Sequence, residues 1–190
     1  MSIELIFKIV NNELIRAFAE LDGWFDYEEH FLREKIAGHQ WSAAEILEHV
    51  MHTNHYLLLL IEKGSGKALK RAREKDLSEV LRSYRFQVPG MDEIAMPGTF
   101  EWSSPDHMLP NGTVPLPEVR AKLRDQLYRC LCQLDLLCNG EGVLVQRTMS
   151  VNRLGKLDLY QYLYFLALHA RRHVTQLSRQ TAAPLVDWLI

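Results

Sequence analysis

Trp41-Ser42-Ala43-Ala44-Glu45-Ile46-Leu47-Glu48-His49 carries the clearest helix start in the chain. Ser42 stands where a helix cap is wanted, and Glu45, three residues on, can return a hydrogen bond to the N–H of the cap. Trp41 and Ile46 flank this box as a hydrophobic staple. Beyond it Ile46, Val50, Thr53, Leu57 and Ile61 recur at three- and four-residue spacing, so the segment reads as an amphipathic helix with that face inward. The helix is expected to reach about Lys63, where Gly64-Ser65-Gly66 supplies a stop. At about 100° per residue, His49 lies at the flank of the inward face, near Tyr56. His52 lies further round, and His55 is nearly opposite, beside Glu48.

The same period runs through most of the chain. Ile3, Ile6, Phe7, Val10, Leu14, Phe18 and Leu21 make a first amphipathic helix, broken or bent at Gly23, with a shorter piece expected between Asp26 and Ile36. Pro117 suits the first turn of a third long helix reaching about Leu137, where Asn139-Gly140 ends it. A fourth begins near Leu157, carries Asp158 in its first turn and continues to about Arg179. Its core face is Leu159, Leu163, Leu166, Ala170 and Leu177, with His169 and His173 at the edge beside Phe165 and Gln176. Four long helices make a four-helix bundle, an all-α fold, the natural architecture, and 190 residues fit one domain spanning 1–190.

Between these helices lie two other kinds of segment. Lys67 to Lys75 is strongly basic and is followed by Leu77, Val80 and Leu81 at helical spacing, which suggests one or two short surface helices with a solvated face. Val88 to Pro117 carries Pro89, Pro97, Pro105, Pro110, Pro115 and Pro117 together with Gly90, Gly98 and Gly112. Such a density of breakers forbids a long regular element. A loop of this length in a compact domain is commonly a lid or a binding segment, and this one can deliver Trp102 as a wall and His107 as an extra ligand. Val143, Val145 and Met149 suggest a short extended stretch, and the tail Pro184-Leu185-Val186-Asp187-Trp188-Leu189-Ile190 is apolar enough to pack on the body or on a partner.

Composition narrows the function classes. A hydrophobic content of 47% with 24% charged residues is that of an ordinary globular protein. A net charge of −2 offers no general attraction to nucleic acid or to an anionic membrane. The N-terminal stretch is interrupted by Glu4, Lys8, Asn11 and Asn12, so neither a signal peptide nor a membrane span is expected, and the cytoplasm is the expected compartment. Cys130, Cys132 and Cys138 are odd in number, and the first two point about 200° apart on a helix. They read as small apolar residues in a reducing environment.

The histidines carry the chemistry. His169 and His173, four apart on a helix, project from one face one turn apart and can grip a single metal ion. His49, from another helix, would complete a neutral three-nitrogen set with an open coordination position. Each histidine by itself is also explained as a hydrogen-bonded residue at a core margin. Glu45 is explained by the capping box, Asp158 by the helix dipole, and Tyr162, which the helical phase points near the histidine pair, by core packing.

Trp41 to His49, with its Trp-Ser…His pattern, and Leu154 to Gln176, with its His-x-x-x-His pair, resemble the second and closing helices of the DinB/YfiT-like superfamily. The resemblance implies a bundle with up-down-down-up connectivity and a divalent metal, nickel or zinc, on His49, His169 and His173. Members with assigned activity include thiol-dependent S-transferases and a mycothiol-dependent isomerase. The expectation is therefore a metal-dependent transferase or hydrolase acting on a small-molecule substrate, with a low-molecular-weight thiol as candidate co-substrate. The alternative is a non-catalytic, metal-holding bundle, which a closed fourth ligand such as His52 or His107 would favour. A homodimer is expected from the apolar first helix and tail. His30, His39 and His55 are expected to be dispensable for the metal.

Overall fold

A computed structural model describes residues 1–182, with side chains described through residue 180. Four long helices dominate: α1 (Ile3–Gly23), α3 (Ala43–Ala72), α5 (Leu116–Leu136) and α6 (Leu159–Ala182). The short α2 (Glu29–Arg33) and α4 (Leu77–Ser83) connect them on the surface. Helices α1, α3 and α6 each bury the stripe their spacing marks out. In α1 this is Ile6, Val10, Leu14, Ala17, Phe18 and Leu21. In α3 and α6 every residue of the two expected inward faces is buried. Each large aliphatic side chain so buried contributes about 1.5–3 kcal/mol to the fold.

Helix directions follow from which residues meet. Asp22 of α1 is held by Arg120 and Arg124 near the start of α5, so these two helices run oppositely. Gln126 donates to the Met51 carbonyl while Arg129 pairs with Glu62, so α5 runs with α3. His49, near the start of α3, meets His173 late in α6, whereas Gly64 meets Leu159 at the beginning of α6, so α3 and α6 are antiparallel. The order is up-down-down-up, and the neighbours around the bundle are α1, α6, α3 and α5.

The second long helix departs from its expected end. Instead of stopping near Lys63, α3 runs unbroken to Ala72 and absorbs most of the basic stretch that reads as a separate surface helix. Gly64 is not a terminator here but a point of close approach, since a Cβ at that position would stand 2.6 Å from Leu159 Cδ2 in the packed core. The Ser65 hydroxyl donates to the Ile61 carbonyl one turn back, and Ala68 is buried, so the inward face continues past the glycines. Packing outweighs the cost of about 1 kcal/mol for each helical glycine.

A small antiparallel hairpin, β1 (Gln146–Met149) with β2 (Gly155–Asp158), precedes α6, so that helix starts two residues later than its period suggests. Asn152, at the hairpin turn with φ of 46°, donates to the Gly90 carbonyl and to Glu93, tying the hairpin to the start of the proline-rich segment. That segment holds only two single-turn 3-10 pieces, Asp92–Ala95 and Asp106–Met108, before Pro115 and Pro117 open α5. Among the described residues no helix is long and apolar enough to cross a membrane. The expectation for the tail 184–190 lies outside the described residues.

Candidate metal centre

The capping box at Ser42 forms as the sequence requires: the Glu45 N–H donates to Ser42 Oγ, and the Ser42 N–H donates to Glu45 Oε2. This fixes the first turns of α3. Trp41 does more than staple the helix, because its ring lies 4.8 Å from that of His49 and covers one face of the imidazole. On α6 the four-residue spacing brings the rings of His169 and His173 to 4.5 Å, and the antiparallel α3 sets His49 at 5.4 and 4.9 Å from them.

The three histidines are nearly out of water, at 2, 1 and 6% exposure for His49, His169 and His173. Each offers a ring nitrogen, and these atoms lie within 4.8 Å of one another. Their other nitrogens decide how. His49 Nδ1 stands 2.7 Å from the Met108 carbonyl, which can only accept, so the proton is on Nδ1 and the lone pair on Nε2. His173 Nδ1 donates to Gln176 Oε1 at 2.9 Å, which likewise frees its Nε2. That Nε2 faces His169 Nε2 at 3.0 Å. His169 Nδ1 is buried and has no hydrogen-bond partner among the described residues.

Burial sets the electrostatics. It pushes the His49 imidazole below its ordinary value, with the Met108 carbonyl opposing and His52 adding to the effect. His169 is driven well below its ordinary value by burial, then by His173 and His49. His173 is pushed down to about 3, again by burial first and His49 next. All three are therefore neutral at pH 7, the protonation state in which imidazole ligates. Two Nε2 atoms bound to one tetrahedral ion at about 2.0–2.1 Å would stand roughly 3.3 Å apart, close to the separation found here. The donor set, the spacing and the freed nitrogens all fit a divalent ion.

The other candidates lie elsewhere. His52 Nε2 is 3.4 Å from Glu48, and the His107 ring packs 4.3 Å from Tyr56, so neither joins the three. His55 is exposed and edges against Tyr56, and His39 meets Gln180. Tyr162 does not point at the histidines: its hydroxyl donates to the Thr148 carbonyl of β1. Asp158 caps α6 in a second reciprocal box, accepting from the Gln161 N–H while Gln161 Oε1 accepts from the Asp158 N–H.

The proline-rich segment forms the roof. Trp102 packs 5.3 Å from the His169 ring and 5.9 Å from Phe165, with Phe100 stacked behind it. Arg172 of α6 reaches over both rings, at 5.1 Å from Phe100 and 5.3 Å from Trp102, and its Nη1 donates to the Met96 carbonyl at 2.6 Å. Lower down, the Asn111 and Gly112 N–H groups each donate at 3.0 Å to Glu48, which is 1% exposed. Sequence reasoning missed Glu48 as a clasp and Arg172 as a roof residue. Helical phase put Glu48 on the solvent side, and nothing local announces that a loop more than sixty residues away covers it.

A family model for the DinB superfamily matches residues 12–177. The chain belongs to the DinB superfamily. No curated protein and no solved structure matches it. The match spans every helix of the bundle that contributes a histidine, so the three-histidine group of this DinB chain sits inside the shared fold rather than on an appendage.

Proposed function

We propose that this chain is a metal-dependent enzyme holding one divalent ion on His49, His169 and His173, and acting as a thiol-dependent S-transferase or as a hydrolase. The observation that carries this reading is the set of three convergent, neutral imidazole nitrogens within 4.8 Å of one another, with His52 and His107 engaged elsewhere. Three protein ligands leave a coordination position for a reactant, as in catalytic rather than structural sites. An ion on neutral ligands keeps its full double charge, and when bound it can polarise an oxygen or stabilise a thiolate.

The chain's own residues do the rest. The Met108 carbonyl and Gln176 hold the His49 and His173 rings with their Nε2 atoms turned inward. Trp102 and Phe165 wall the centre and exclude water, which strengthens any charge interaction inside it. Imidazole ligands suit zinc and nickel, and both remain part of the proposal. The proposed setting is cytoplasmic. The proposed assembly is a homodimer, supported by the exposed Ile15, Leu59, Leu60, Tyr128 and Leu136, and sedimentation at micromolar concentration tests it.

A second reading, a non-catalytic metal-holding bundle, is favoured by the depth of burial of all three histidines beneath the roof. Assays of thiol conjugation to electrophiles and of hydrolysis of activated esters and amides, with and without chelator, separate the two. Chelator-sensitive turnover is expected. Turnover unchanged after complete metal removal overturns the catalytic reading, and full metal occupancy without turnover favours the second.

A further inference from the structure

Arg171 and Arg172 are neighbours on α6 with opposite fates. Arg171 is paired with Glu13 at 2.6 Å, as Arg120, Arg124 and Arg129 are paired with carboxylates elsewhere. Arg172 is half-buried, and among the described residues its partners are one backbone carbonyl and the faces of Phe100 and Trp102. A guanidinium presents five N–H donors, and this one commits a single donor to Met96. A cation partly withdrawn from water without an opposing carboxylate carries a desolvation cost that a bound anion would offset.

Its position gives the anion an address. The Trp102 ring that Arg172 covers is the ring that lies against His169, so the guanidinium sits one aromatic ring from the three histidines. These histidines are neutral and include no carboxylate, so an ion there would add two positive charges beside that of Arg172. The nearest buried carboxylate on α3, Glu48, is already occupied by two loop N–H groups and His52. With an ion on the histidines, Arg172 would be a second cation beside the same aromatic wall.

We infer that Arg172 is a specificity-determining residue that binds a carboxylate on the substrate while another group of the same molecule occupies the metal's open position. The substrate class is thus a small molecule with a metal-binding head and an anionic tail, the tail seated on the guanidinium beside the Phe100 and Trp102 rings. Planar, two-pronged recognition of carboxylate is what arginine does and lysine does less well. The inference rests on the proposed open metal centre, and its test keeps the two apart.

The test uses the full chain loaded with cobalt(II), whose visible bands report ligand exchange at the ion without any turnover. Acetohydroxamate and succinic monohydroxamate share one metal-binding head, and only the second carries a carboxylate. Wild-type protein is expected to bind the carboxylate probe about tenfold or more tightly than the plain one, as a charge-assisted pair predicts. Arg172→Gln should abolish that preference, read as the ratio of the two affinities, and Arg172→Lys should retain part of it. A guanidinium that merely clamps the roof would, on removal, shift both probes alike, and that result overturns the inference. So does an equal affinity for the two probes in the wild type, or a preference that survives in Arg172→Gln. Protein that takes up no cobalt, or cobalt bands that neither probe moves, overturns the open-metal reading itself and the inference with it.

Discussion

Glu48 and His49 are consecutive, both almost wholly buried, and each anchors a polar cluster, yet the clusters differ in kind. The Glu48 carboxylate is complete: two N–H groups of the loop converge on it at 3.0 Å, with His52 nearby. The His49 cluster is incomplete. Its imidazoles are positioned from outside by Met108 and Gln176, while inward the His169 and His173 Nε2 atoms face one another at 3.0 Å. Buried polar groups are normally satisfied, and here three neutral imidazole nitrogens within 4.8 Å of one another remain for a cation to complete. The difference between a structural cluster and a binding site lies in that remainder, not in burial or charge.

The largest test of this contrast is metal itself. The wild type should retain about one divalent ion per chain, and His169→Ala or His173→Ala should each abolish retention, because two imidazoles hold an ion far less well than three. Elemental analysis after gel filtration reads this out, and retention in both variants would erase the distinction between the clusters. With free metal at about 100 times its dissociation constant the wild type should also gain about 2.7 kcal/mol of stability, and the variants none.

Acid should act on the histidine cluster next. Its imidazoles are held below their ordinary value of 6.5, His173 down to about 3, so the unfolded chain takes up protons that the fold refuses. Stability of the metal-free protein is therefore complete above about pH 6.5 and declines as the pH falls toward about 3, by on the order of 4 kcal/mol for His173 alone. Denaturant titrations across that range should show a shallower decline in His173→Gln, and an equal slope in the two proteins would contradict the burial argument.

Glu48→Ala should be milder and different in character. It orphans two loop N–H groups and should cost on the order of 2–3 kcal/mol in denaturant unfolding, with metal stoichiometry intact. Loss of metal to the same extent as in the histidine variants would show that the two clusters are one. Smallest of all, alanine at the exposed His30 or His55 should leave metal content unchanged and shift stability by no more than about 0.5 kcal/mol.

What could be read from sequence was whatever repeats at short range. The Ser42 box, the 3.6-residue stripes of α1, α3 and α6 and the His169/His173 spacing each encode their geometry within one or two turns, and the three histidines do meet. The reading failed where distant chain decides. Gly64 looks like a stop until Leu159 arrives against it, and Tyr162 has a neighbour in Thr148 that only the hairpin supplies. The roof could be recognised as irregular from its prolines, and Trp102 as its wall. Its fastenings, Arg172 on Met96 and Glu48 on Asn111 and Gly112, join residues more than sixty positions apart, and no local signal encodes such pairs.

The bond from His49 Nδ1 to the Met108 carbonyl makes one candidate ligand also a fastening of the roof. Entry and escape of an ion on these histidines would then be coupled to the packing of the segment above it. Residence time of a bound ion would depend on the hold of that segment as well as on how firmly three imidazoles grip.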